Sequence, residues 1–205
     1  MRDINVLMAG VGGQGVILAS DAMSEIGMGS GYDVKKSDSL GMAQRGGSVT
    51  SHVRWGEHVF SPLSKKGDVD FLLGFEQLEA VRSAPHLKPG GIAIIADVVI
   101  VPASVIGGTI PYPNQEEIEG ILAQYTSETY LIPATRIGAE VGNPRALNMV
   151  MLGSLSIFLD LEAEAWTDSI RCRLPPQFVE SSVEAFSRGA AEAKAMRLAR
   201  TTKNS

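Results

Sequence analysis

The sequence of 205 residues contains one cysteine, Cys172, and that scarcity excludes several chemistries at once. No intramolecular disulfide can form, no set of thiolates can hold an iron–sulfur cluster, and a four-cysteine zinc site is out of reach. A chain without disulfides suits the cytoplasm. Met1-Arg2-Asp3 leads directly into an apolar stretch with no signal-peptide pattern, so a cytoplasmic location is expected. Positive charge is not in excess: 18 Lys and Arg against 23 Asp and Glu give a net charge of −5. That balance argues against nucleic acid as the main partner, because a phosphate backbone needs a cationic face. A membrane-length apolar run is also missing. The most hydrophobic later segment, Ala146 to Leu161, is too short to span and carries Asn148, Ser154 and Ser156. It reads as a buried helix, and no membrane is expected as a partner.

With 44% hydrophobic and 20% charged residues, the composition is that of a globular chain with enough apolar material for one core. No linker rich in Pro, Gly and Ser divides it. One domain over residues 1–195 is expected, followed by a charged, mobile tail at 196–205.

What the chain does have is a glycine-rich turn near its start. An apolar run, Ile4 to Ala9, enters Gly10-Val11-Gly12-Gly13-Gln14-Gly15, and from Val16 onward the apolar residues take helical spacing. Strand, turn and helix follow in that order. Gly10, Gly12 and Gly15 fit G-x-G-x-x-G, in which glycines allow tight turning and close approach of backbone to a ligand or neighbouring loop. The free amides at such a helix start favour an anion. A dinucleotide site would also need an acidic residue about 20 residues on, at the end of the second strand. Asp33 opens that strand, Tyr32–Ser37, and Asp38 comes too late, so the turn stands either as an anion-binding loop or as a structural turn.

Strand and helix patterns then alternate. A helix closed by Gly27, Gly29 and Gly31 and the strand Tyr32–Ser37 predict a βαβ start. Ser48 to Trp55 alternates as an amphipathic antiparallel strand. Asp68 to Phe75 is a buried strand followed by a helix over Glu76 to Ala84, and Pro89-Gly90-Gly91 turns the chain into the strand Ile92–Asp97. Val98 to Pro113 is expected along the sheet edge. A helix over Gln115–Tyr125 is capped by Asn114, Thr129–Ile132 is a strand, and Ala134–Val141 is a helix stopped by Gly142. Asn143-Pro144 opens the next helix, and Pro175-Pro176 the last. The fold class expected is single-domain α/β: a doubly wound, mostly parallel sheet with helices on both faces, a Rossmann-like start, an antiparallel strand and a helical C-terminus.

A second glycine loop, Gly41-Met42-Ala43-Gln44-Arg45-Gly46-Gly47, places Arg45 among small or flexible neighbours. Its guanidinium could present a fork to a carboxylate or phosphate, or pair with a neighbouring protein group. Lys35, Lys36, Arg45, Lys65 and Lys66 gather in this third of the chain as a local anion site or as a solvated face. His52 and His58 lack a third ligand at metal spacing, so no metal is expected.

Taken together, the glycine turn, Gly41 to Val49, Ser61-Pro62-Leu63, Asp70 to Gly74, and Gly142-Asn143 with Asn148 downstream resemble the gamma subunit or domain of the 2-oxoacid:ferredoxin oxidoreductases, in particular the indolepyruvate branch with its small beta subunit. The resemblance implies oxidative decarboxylation of a 2-oxoacid by a complex. Thiamine diphosphate, Mg and iron–sulfur clusters would lie on a large partner subunit, ferredoxin would act through the complex, and coenzyme A would sit at a shared site. This chain would hold no cofactor alone, carry no catalytic residue and be inactive in isolation, as part of a hetero-oligomer or, when isolated, a homodimer. Gly12, Gly13, Gln14 and Gly15 would line a loop facing the shared site; Gln44, Arg45, Gly46 and Gly47 would face the partner or the phosphates. Asp38, Leu40 and Ser182 stand where that branch often has Glu, His and Asn, which leaves the 2-oxoacid open, phenylglyoxylate among the candidates. A free-standing nucleotide-binding oxidoreductase and a purely structural scaffold subunit are the alternatives.

Overall fold

The computed structural model describes residues 2–41, 46–102 and 111–203. Six strands form one sheet: β1 Ile4–Val11, β2 Asp33–Leu40, β3 Ser48–Gly56, β4 Val69–Gly74, β5 Leu87–Ala96 and β6 Glu128–Ile132, in the order β2-β3-β1-β4-β5-β6. β1, β4, β5 and β6 pair in parallel, whereas β3 is antiparallel to both β1 and β2. The doubly wound α/β expectation stands, with one correction at its start. β2 does not pair with β1, because β3 inserts between them; the hairpin from β2 to β3 satisfies both edges and replaces a direct βαβ pairing.

The described residues hold seven α-helices: α1 Val16–Gly29, α2 Gln77–Ser83, α3 Gln115–Leu122, α4 Ala134–Glu140, α5 Leu147–Ser156, α6 Ala163–Arg173 and α7 Pro176–Lys203. Alternation along β1 sorts its side chains to opposite faces. Val6 and Met8 join the larger core with Met23 of α1, Leu152 of α5 and Phe186 of α7, while Leu7 and Ala9 join Ala80 of α2 and Ile118 of α3 in a second core. None of the described helices is long and apolar enough to cross a membrane.

Several boundaries differ from the sequence expectation for local reasons. Pro89-Gly90-Gly91 is not a turn before a strand but a bulge inside β5, with Gly90 at φ 76° and a register shift opposite Val69 and Phe71. A proline without an N–H is tolerated at such a break. Asn143-Pro144 does not open α5: the Asn143 carboxamide accepts from Arg145 N–H at 3.2 Å in a turn, and the helix begins at Leu147. Helix α6 had no counterpart in the sequence reading. The charged residues 196–203 do not form a tail; they continue α7, where the Arg200 guanidinium donates to Ser127 O at 2.8 Å and Thr129 O at 2.7 Å along the outer edge of β6. Asn114 caps α3 as expected, with Glu117 closing a capping box.

Candidate functional site

The two glycine loops meet at the carboxyl end of β1. Gly12 N–H donates to Gly47 O at 2.9 Å, and the β1–β3 register places Val11 opposite Ser48. Each loop is held from beneath. Gln14 turns its side chain inward: Oε1 accepts from Val11 N–H at 2.7 Å, and Nε2 donates to Phe75 O at 2.7 Å, so one carboxamide ties the turn to the end of β4. On the other loop, Gly41 N–H donates to Ser48 O at 2.8 Å. Ser48 Oγ donates to Glu79 Oε2 at 2.6 Å, and Glu79 also holds Arg82.

The glycines serve different needs within a few residues. Gly10 sits where a Cβ would lie 2.8 Å from both Gln14 Oε1 and Phe75 Cβ, so it allows the turn to close. Gly15, at φ 78°, would bring a Cβ to 2.6 Å from Asn148 Nδ2, so α5 and the turn approach more closely than any side chain permits. Gly13, at φ 103°, has nothing within 4 Å of a Cβ and is exposed. It needs glycine for its backbone angle alone and leaves an open surface.

Beside these loops lies a cleft of about 620 Å³, walled by Val11, Val16, Ile17, Leu40 and Val49 and floored by glycine backbone. It sits at the start of α1. Gly15 is the residue at the helix start and has no side chain to cap with, and the first turn carries no acidic residue. The amides of that turn are therefore available to an anionic group, with the helix dipole in support. Cationic side chains do not add to this among the described residues, since none lines the cleft. Lys36 pairs with Asp21 and Asp38, and Lys35 with Asp33. Lys65 and Lys66 line another recess with Arg54, which pairs with Asn5 near the opposite end of β1. Arg54 and Val49 are five residues apart on one strand, or about 17 Å. Gln44 and Arg45 lie outside the described residues, while Gly46 and Gly47 border the cleft's loop with Gly46 at φ 76°.

A dinucleotide ribose finds no carboxylate here. Asp33 accepts from Val59 N–H at 2.8 Å, and Asp38 accepts from Ser51 Oγ at 2.5 Å and pairs with Lys36. Both candidates are consumed within the sheet.

Glu76, next to Phe75 at the end of β4, is a buried capping residue whose role the sequence reading passed over. It is buried, caps α2 by accepting from Glu79 N–H at 2.9 Å, and receives Ile100 N–H at 3.1 Å and the Tyr112 hydroxyl at 2.5 Å. Burial and this carboxylate push the Tyr112 phenol well above its ordinary pKa. Glu76 and Glu79 had a signal in the spacing Glu76-Gln77-Leu78-Glu79 at a helix start, which places an acceptor side chain over free amides.

The pyruvate ferredoxin/flavodoxin oxidoreductase family model matches residues 5–192. The indolepyruvate oxidoreductase subunit IorB of Pyrococcus horikoshii is 34% identical over 199 residues, spanning 96% of this chain and 98% of that one. Among solved structures, the gamma subunit of a keto/oxoacid ferredoxin oxidoreductase from Geobacter sulfurreducens superposes with a TM-score of 0.69 at 24% identity, covering 94% of this chain and 99% of that one. The 2-oxoglutarate:ferredoxin oxidoreductase of Magnetococcus marinus, solved with 2-oxoglutarate, coenzyme A and succinyl-CoA bound, superposes with a TM-score of 0.72 at 22% identity; the match covers 95% of this chain but 32% of that longer one. With the family pattern matched over residues 5–192 and a relative 34% identical along nearly its whole length, the chain belongs to the pyruvate ferredoxin/flavodoxin oxidoreductase family.

Proposed function

We propose that the chain is the small subunit of a ferredoxin-dependent 2-oxoacid oxidoreductase of the indolepyruvate type, and that its joined glycine loops form one wall of a coenzyme A and substrate site completed by a large partner. The observation that carries this reading is the cleft itself: apolar walls, a glycine floor and uncapped helix amides at the point where Gly12 and Gly47 hold the loops together. Backbone amides favour a phosphate, and apolar walls favour an uncharged arm or ring. Gly12, Gly13 and Gly15 are the contact residues of this wall. Gln14 supports them from within, and Gly46 and Gly47 face the partner or the phosphates.

The donor set of this chain does not fit the redox cofactors. Cys172 is the one cysteine and is exposed on α6, whereas a cluster needs several thiolates in one place. No group of three His, Cys, Asp or Glu side chains suited to a metal occurs among the described residues. Thiamine diphosphate on a partner supplies the carbanion stabilisation that loss of carbon dioxide from a 2-oxoacid requires. This chain's own contribution is to bind, orient and exclude water.

The test is anaerobic purification of the tagged chain from its native host. A large partner with thiamine diphosphate, visible iron–sulfur absorption and indolepyruvate-dependent reduction of ferredoxin is the expected result. Recovery of the chain alone, with tight NAD or FAD binding by calorimetry, would replace this reading with that of a free-standing nucleotide-binding protein.

A further inference from the structure

Helix α1 has a second hollow beside its first turn, on the side facing α5 and α7. It has a volume of about 160 Å³ and is bordered by Leu18, Asn148, Met149, Phe178 and Ser182, with Arg145 among its lining residues. Two of these residues are polar and nearly inaccessible, Asn148 at 5% and Ser182 at 3% exposure. The Asn148 amide is fixed in orientation, because Met149 N–H donates to its Oδ1 at 3.0 Å. Its Nδ2 makes no hydrogen bond to any described residue, and neither does Ser182 Oγ. The Arg145 guanidinium is exposed and has no carboxylate partner among the described residues.

Two donors at one hollow, each on a nearly inaccessible residue and without a partner among the described residues, mark a place where an acceptor belongs. The lining contains no acidic side chain, and Arg145 adds positive charge. The acceptor favoured is therefore anionic. Phosphate is disfavoured by the rest of the wall, where Asn143 is already engaged with Ser181 Oγ and Arg145 N–H and the other residues, Leu18, Ala146, Met149, Leu174 and Phe178, are apolar. The space corresponds to about five water molecules at roughly 30 Å³ each, too small for a nucleotide. A carboxylate carried on one ring or a short branched chain satisfies charge, donors and size together.

We propose that this hollow is a binding site for a small carboxylate with an apolar body. Asn148 Nδ2, Ser182 Oγ and Arg145 hold the head, and Leu18, Met149 and Phe178 cover the body. The site is separate from the glycine-walled cleft, although Asn148 packs on Gly15 and so adjoins both. The proposal does not rest on the subunit reading, and the isolated full chain suffices to test it.

Benzoate is a suitable probe, with benzamide as its uncharged counterpart, and the Met149 methyl resonance of methyl-labelled protein reports on the wall of the hollow. Benzoate should shift that resonance saturably at millimolar concentration, while benzamide binds about tenfold more weakly for want of the charged head. Arg145→Met, a surface change, should raise the benzoate Kd by about tenfold, and Ser182→Ala and Asn148→Ala by about three- to tenfold. A Met149 signal unmoved by benzoate would overturn the proposal. So would equal response to benzamide, or equal binding by Arg145→Met and Ser182→Ala.

Discussion

Two groups of glycines in this molecule look alike in sequence and differ in what surrounds them. Where α5 crosses α7, a Cβ on Gly153 would lie 1.9 Å from Phe186 O, and one on Gly189 would lie 2.1 Å from Val150 O. These glycines are filled from the other side: Ser154 Oγ donates to Gly189 O at 3.1 Å across the same contact. At the carboxyl end of β1, by contrast, Gly13 faces empty space, and Gly12 N–H donates to Gly47 O. One group lets two helices touch, and the other keeps a surface bare. The second arrangement leaves backbone uncovered, as the proposed wall of a shared site requires.

Substitutions that add one methyl group separate the two groups most strongly. Gly153→Ala should cost on the order of 3 kcal/mol or more, because both clashing partners are backbone and the helices must part. For a chain of this size that is a fall in Tm of about 6–12 °C, measurable by scanning calorimetry. A loss under 1 kcal/mol would show that the crossing can yield.

Gln14→Leu ranks next. It keeps the volume but removes both ends of the bridge between Val11 and Phe75, leaving one N–H and one carbonyl without partners at an expected cost of about 2–4 kcal/mol. Chemical denaturation measures it. A change of a few tenths would mean that water replaces the carboxamide and that the loop is not braced from within.

Gly13→Ala should cost only about 1–2 kcal/mol, the penalty of a left-handed backbone angle, since its Cβ meets nothing. Assembly with the partner should suffer more than stability does. A complex formed at wild-type affinity would remove Gly13 from the contact surface.

The smallest effect concerns His52, on the β3 face toward His86, with ring centroids 6.0 Å apart. Burial, then His86 and Arg54, lower its pKa below 6.5 in the folded chain. The unfolded chain therefore takes up a proton first as pH falls through 6.5. Stability from neutral His52 is complete above that pH and declines below it. His52→Gln should flatten this part of the stability–pH curve, and an unchanged slope would assign the decline to other groups.

Much of this was legible in the chain itself. Nearly continuous apolar runs such as Ile4–Val11 and Val69–Gly74, each broken by a single polar residue, are legible as strands buried on both faces. The two glycine loops were recognisable from residue type, and Asn114 from its place before acidic first-turn residues. Other features depend on partners distant in sequence. The insertion of β3 between β1 and β2 follows from edge pairing, which local periodicity does not encode. Arg200 turns the charged end of α7 into a cover for β6, and composition alone reads such a segment as solvated. Nothing in the glycine motif itself says that Gln14 points inward, since that depends on Phe75 O, 61 residues away. The role of Asn148 is hidden for the same reason: its neighbour Gly15 is on another helix.

The claim that the bare glycine surface is where the partner sits can be tested by hydrogen exchange of the chain free and in its purified complex. Amides of residues 10–17 and 46–49 should become protected on assembly, while those from Arg54 at the far end of β3 through the following loop to Asp68 should exchange as in the free chain. Protection confined to Arg54–Asp68, with residues 10–17 unchanged, would contradict the account and move the interface to the opposite end of β1.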